Sequence, residues 1–161
     1  MKYHVTYQNT NDYQNAPNIF HVQRWVNTTL ENLIKKGELT LRLVNSSTIQ
    51  SLNNQYRRMD KPTNVLSFPC ELPEEVRQQL DYPALGDIII CHEVIEKEAL
   101  DQNKTLQAHY AHMVVHGVLH LLGYDHIKKN DAQIMEPIEI ETLAKLGISN
   151  PYEASDDINN D

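Results

Sequence analysis

The chain of 161 residues has only two cysteines, Cys70 and Cys91, far apart and in no pattern. This argues against a disulfide-stapled scaffold and predicts two reduced thiols. No run approaches the roughly 18 apolar residues of a membrane helix. The opening residues, Met1 to Tyr7, are too polar for the apolar core of a signal peptide. Together these absences predict a cytoplasmic protein with no membrane partner. Internal repeats, low-complexity tracts and linkers are also missing, so the length suits one domain with its own core. Positive charge is scarce, with 14 Lys and Arg against 22 Asp and Glu and a formal net charge of −8. That is not the strong positive field of a non-specific RNA binder.

The acidity is uneven. Residues 131–161 hold eight acids against Lys145 alone, whereas residues 1–130 are close to neutral at −1. The body is therefore free to carry a local basic patch; were RNA the substrate, it would be selected by shape, by a loop or through a partner particle. We divide the chain into a domain over 1–147 and an acidic, disordered tail over 148–161.

Along the chain, Tyr3, Val5 and Tyr7 alternate with polar residues and predict a strand. An apolar stripe from Ile19 to Ile34 predicts a helix that begins near Pro17, reaches Lys36 and stops at Gly37. Leu39, Leu41 and Leu43 mark a second strand. Ser46 or Ser47 is placed to cap a helix through Tyr56, and Val65 to Phe68 is a short strand. Residues 69–83 read as a loop with at most one helical turn. Leu85 to Cys91 is an apolar run suited to a central strand, and a helix over 92–102 follows it. Thr105 is placed to cap a long helix ending at Gly123. A last helix runs over 131–146 and closes at Gly147. Helices alternating with about four strands predict an α+β or α/β fold.

The densest chemistry lies in His116-Gly117-Val118-Leu119-His120-Leu121-Leu122-Gly123-Tyr124-Asp125-His126. Residues four apart share a helix face, about 5–6 Å apart at Cβ, so His116 and His120 can hold one ion. Gly123 can end the helix in a left-handed conformation and return His126 as a third ligand. Three neutral imidazoles leave one coordination position open, the ligand set of a catalytic rather than a structural zinc site. The spacing equals that of the long zinc-protease motif, except that its general-base glutamate is replaced by Gly117. Glycine cannot take a proton, which disfavours peptide hydrolysis. What remains is water activated by the ion, or another nucleophile, acting on a group the ion polarises. A phosphodiester fits, because its transition state gathers negative charge near the ion.

Nearby residues have weaker readings. Asp125 either orients an imidazole or caps a turn. His109 and His112 fall on the face of His116 and read as polar edge residues or as cleft-lining proton carriers. Asp87 interrupts an apolar strand, Met135 sits in a helical stripe and reads as core, and Tyr124 either stacks on a base or packs.

A second constellation is Tyr56-Arg57-Arg58-Met59-Asp60-Lys61-Pro62-Thr63-Asn64-Val65-Leu66-Ser67-Phe68-Pro69. Cations at a helix end complement its dipole, and a guanidinium can also hold a phosphate through two parallel hydrogen bonds. The segment by itself allows both readings.

Taken with Leu85-Gly86-Asp87-Ile88 and the histidine motif, this segment resembles the YbeY family over about 39–147. Members are bacterial metal-dependent single-strand endoribonucleases of ribosomal RNA maturation and ribosome quality control. The resemblance implies an α+β fold in a single domain, with about four strands in a mixed sheet and the metal on a central helix. It also implies one zinc ion, or another first-row divalent ion, on His116, His120 and His126. Catalysis is implied at Arg57 and His116, with single-stranded ribosomal RNA as substrate and ribosomal subunit proteins as possible partners. Asn64 stands where many members carry aspartate. Two other readings compete: a ribosome-assembly binding factor with a structural metal, and a metal hydrolase of another substrate.

Overall fold

Alternating apolar residues build four strands: β1 (Tyr3–Asn9), β2 (Gly37–Val44), β3 (Val65–Pro69) and β4 (Ala84–Cys91). They form one mixed sheet in the order β1-β2-β4-β3, in a computed structural model that describes residues 2–124 and 129–152, the side chains of 129–131 excepted. β1, β2 and β4 run parallel, and β3 lies antiparallel at the edge. Six helices connect or follow the strands: α1 (Ile19–Leu30), α2 (Ser46–Arg57), α3 (Glu74–Gln78), α4 (His92–Asp101), α5 (Leu106–Leu121) and α6 (Lys129–Lys145). The parallel pair β1 and β2 requires a crossover, which α1 supplies. This is the expected α+β fold in one domain with a four-stranded mixed sheet.

One face of the sheet presents Leu39, Leu41, Leu43, Ile88 and Ile90 to Val22, Trp25 and Val26 of α1 and to α5. The other face is covered by α2 at one end, over Val44, Leu66, Ile89 and Cys91. Neither thiol is paired: Cys91 is buried and Cys70 half-buried. Eleven of the sixteen α5 residues are buried, as expected of a helix enclosed on nearly all sides. It meets α1, α4, α6, β3 and β4.

Two glycines let these layers close. At Gly86 the backbone has φ +139°, beside a bulge that shifts the β2–β4 register, and a side chain there would strike the Phe68 carbonyl oxygen. Gly117 faces the sheet: a Cβ there would lie 3.0 Å from Ile88 Cγ2. Ser67 Oγ donates to the Gly117 carbonyl at 3.1 Å, tying α5 to the edge strand.

Several boundaries differ from expectation. α1 ends at Leu30 and not at Lys36, with Leu33 and Ile34 amides turning back onto the Leu30 carbonyl. Thr29, whose hydroxyl bonds the Trp25 carbonyl at 2.7 Å, sits at this end; such back-bonding weakens a helix. The α1 cap is Asn18, one residue beyond Pro17. Asn45, not a serine, caps α2 by accepting from the Thr48 amide at 2.9 Å. It is the first residue beyond β2 with the required extended backbone. Thr105 caps α5 as expected, accepting from the Ala108 amide.

Candidate metal centre and its cleft

Four histidines, His109, His112, His116 and His120, repeat along α5 at spacings of three and four, so one stripe carries them all. Successive rings meet edge-on, with centroids 6.3, 6.2 and 4.5 Å apart. The last contact brings His116 Nε2 within 3.0 Å of His120 Nε2. Gly123 then ends the helix at φ +100°. Its amide bonds the His120 carbonyl and the Tyr124 amide bonds that of Leu119, the reciprocal pair of a left-handed helix stop. The expected turn after His120 is therefore present. His126 and Asp125, expected beyond it, lie outside the described residues.

The stripe opens onto a cleft of about 800 Å3 between α5, β3 and the end of α2. His112, His116 and His120 line it, with Arg57, Tyr56, Tyr124 and Tyr152. Local chemistry holds Arg57 at the rim. α2 ends immediately after it, because Arg58 adopts a left-handed backbone at φ 57°. The buried Asn53 amide donates to the Lys61 carbonyl at 2.9 Å, holding the turn that follows. Tyr56, mostly exposed, meets the Phe68 ring edge-on at 5.0 Å.

Behind the histidines is Glu139 of α6, fully buried. Its Oε2 accepts from His112 Nε2 at 2.8 Å and lies 3.4 Å from His116 Nδ1. Its Oε1 accepts from the Tyr152 hydroxyl at 3.1 Å. Burial alone would raise this carboxyl, but hydrogen bonds from the two imidazoles outweigh it and hold the pKa down at about 2. Burial pushes His112 the other way, below the usual histidine value, against the pull of Glu139. The phenol of Tyr152 is raised, by burial and by the adjacent carboxylate, so it donates. The site thus contains a buried anion, and such a charge is costly unless a cation compensates it.

A second carboxylate serves the other end of the stripe. His109 Nε2 bonds Glu98 Oε1 at 2.9 Å, and Asn64 Nδ2 donates to the same carboxylate at 3.2 Å. Burial raises Glu98, and the bonds from His109 and Asn64 bring it to a net lowered value. Asn64, the departure from the resembled pattern, is therefore held by a hydrogen bond that aspartate could not donate when ionised.

These donors fit a divalent ion. Two ligands bound at 2.0–2.1 Å in a tetrahedral site stand about 3.3 Å apart, close to the 3.0 Å between the facing Nε2 atoms. A neutral imidazole has one N–H, and an ionised carboxylate only accepts. Glu139 therefore favours the N–H of His116 on Nδ1, which makes Nε2, the atom facing His120, the accepting nitrogen. Among the described residues, His112, His116 and Glu139 also offer three ligand atoms within 4.8 Å of one another, a group that could hold a metal.

The expectation that His109 and His112 are polar edge residues is corrected: both are buried, His109 against Glu98 of α4 and His112 against Glu139 of α6. Only His112 of the two borders the cleft. Asp87 lies outside the cleft, exposed in a separate depression with Thr40 and Arg42. Met135 is core, and Tyr124 packs against the core while lining the cleft. Gly117 explains the absent glutamate physically: that position faces the sheet, not the stripe. Sequence reasoning missed Glu139, Glu98 and Tyr152. All three come from outside α5, and an acid on a mostly polar helix carries no local mark of burial.

A sequence model of the YbeY endoribonuclease family matches residues 6–147. The solution structure of TM1509 from Thermotoga maritima superposes with a TM-score of 0.57, at 26% sequence identity. The alignment covers 88% of this chain and 91% of that one.

Proposed function

The chain belongs to the YbeY family of endoribonucleases, enzymes of ribosomal RNA maturation, and from that membership we propose a zinc-dependent enzyme that cuts single-stranded RNA. Its target is the 3′ end of the small-subunit (16S) ribosomal RNA, with a role in ribosome quality control and ribosomal proteins as neighbours. The observation that carries this reading is the charge of the cleft. Among the described residues no carboxylate lines it, while Arg57, His112, His116 and His120 do, in a protein of formal net charge −8. A cleft with no carboxylate in its lining and a guanidinium at its rim favours an anion at that rim even where the whole molecule does not, Glu139 lying buried behind the histidines.

His116, His120 and His126 would hold the ion, which would supply Lewis acidity to the phosphate and to the attacking group. Arg57 grips the scissile phosphate through two parallel hydrogen bonds and offsets the charge that grows there. Tyr56, beside Phe68 at the rim, offers a face on which an unpaired base stacks. A duplex keeps its bases paired, which accounts for the preference for single strands. No helix among the described residues is long and apolar enough to cross a membrane, consistent with cytoplasmic work on ribosomes.

The test is cleavage of an RNA carrying the small-subunit 3′ region by zinc-loaded protein, alone and with ribosomal subunits, beside folded His116→Ala. Cleavage by the first and none by the second is expected. No cleavage under either condition would overturn the reading. Product ends identify the nucleophile: a 2′,3′-cyclic phosphate means the RNA's own hydroxyl, and a 5′-phosphate means water.

A further inference from the structure

Glu139 is reached from α6, outside the histidine motif, yet it touches that motif from behind. Its two oxygens have separate partners. Oε2 meets His112 Nε2 at 2.8 Å and His116 Nδ1 at 3.4 Å. Oε1 takes the Tyr152 hydroxyl at 3.1 Å, which resists rotation of the carboxylate about its last bond. His116 Nδ1 and Nε2 lie on opposite sides of the ring, so the carboxylate on one side governs what the other side presents to His120.

We propose that Glu139 is the positioning residue of the metal centre: it holds His116 as the Nδ1–H tautomer, so that Nε2 faces the ion with a lone pair. This rests on the reading that His116 and His120 hold the ion. Tyr152 is part of the device, because it fixes the second oxygen.

The alternative is that Glu139 is itself a ligand, together with His112 and His116. The distances favour the hydrogen-bonded arrangement. At 2.8 Å, Glu139 and His112 are at ordinary hydrogen-bond separation, shorter than the roughly 3.3 Å between two ligands of a tetrahedral ion. A ligand role for Glu139 would also need His116 to bind through Nδ1, turning its Nε2 and the facing His120 away from the same ion.

The test compares wild type, Glu139→Gln and His116→Ala. Zinc affinity is measured against a chromophoric chelator, and the visible absorption of the cobalt(II)-loaded protein reports the ligand set. The nitrogen chemical shifts of the His116 ring report its tautomer. Glu139→Gln is expected to lose about 10- to 100-fold in zinc affinity, to keep the cobalt band shape and intensity, and to lose the single Nδ1–H tautomer. Unchanged affinity and tautomer would overturn the proposal. A cobalt spectrum with altered intensity would overturn it in favour of Glu139 as a ligand. Wild type that binds no zinc, or His116→Ala that binds as tightly as wild type, would overturn the underlying metal reading instead. Should Glu139→Gln fail to fold, Glu139→Asp carries the same test, since it keeps the charge and withdraws it by one methylene.

Discussion

The four histidines of α5 share one stripe but form two unlike pairs. His109 and His112 are almost sealed and bond carboxylates, Glu98 and Glu139, through Nε2. Their Nδ1 atoms have no hydrogen-bond partner among the described residues. His116 and His120 are half-buried at the cleft, and their Nε2 atoms face each other. The difference comes from what packs on the stripe, because the helix presents all four rings alike. A carboxylate against Nε2 uses the nitrogen that could bind an ion. A carboxylate against Nδ1, as at His116, makes Nε2 the accepting nitrogen instead. On the proposed reading, imidazoles spaced three and four apart on one stripe are thereby sorted into structural and metal-binding members.

The largest test of this division is to exchange the pairs' fates. His116→Ala or His120→Ala is expected to lower RNA cleavage by at least about 1,000-fold with the far-ultraviolet spectrum unchanged, as for loss of a metal that activates the attacking group. His109→Ala should do the reverse. It is expected to cost about 1–3 kcal/mol in denaturant unfolding, by leaving the Glu98 carboxylate short of a partner, with kcat within about threefold of wild type. A large loss of kcat in His109→Ala, at a temperature where it is folded, would erase the distinction.

Arg57 tests whether the cleft beside the second pair works on a phosphate. Arg57→Ala is expected to lower kcat by about 100- to 1,000-fold. Arg57→Lys should recover only part, since an ammonium keeps the charge but loses the paired hydrogen bonds. Full activity in the lysine variant would reduce the role to charge alone.

The sheet side of α5 provides the contrasting control. Gly117→Ala places a methyl group 3.0 Å from Ile88; the crowding is offset in part by the gain of about 1 kcal/mol in helix propensity, so a net change in stability within about 2 kcal/mol is expected, with zinc affinity unchanged. A fall in affinity without a fall in stability would mean that this face also serves the metal.

Acid should separate the groups more gently, by thermal unfolding of the metal-free protein between pH 8 and pH 4. His112 has a lowered folded value, so the unfolded chain takes up its proton first and stability falls as pH drops below about 6.5. Glu98 and Glu139 are lowered. Their contribution is present above the unfolded carboxylate value and is lost as pH falls through it toward the folded values. His112→Gln should flatten the upper part of the curve and also shrink the lower part, because one of the two imidazoles that hold Glu139 down is lost. A curve identical to that of wild type would remove His112 from the account.

Much of the fold was legible in local pattern. Leu39, Leu41 and Leu43 alternate onto one face, Thr105 accepts from the first turn of α5, and Gly123 and Gly147 stop α5 and α6 at positive φ. These depend on periodicity and on the backbone freedom of single residues. The end of α1 and the choice of Asn45 over Ser46 were harder to read. Neighbouring residues competed there for one role with nearly equal propensities, and the strand or turn before them settled the choice.

By itself, the sequence determined the helices and strands, the pair His116 and His120 on one helix face, and the family to which the chain belongs. Only the tertiary structure decided that Glu139 would be buried and Glu98 half-buried against the histidine stripe, that Arg57 would share the cleft, and that Gly117 would face the sheet. The reason is range. Spacing on a helix fixes which side chains share a face, within a few residues, whereas a partner 11 or 23 positions away is selected by which surfaces pack together and exclude water.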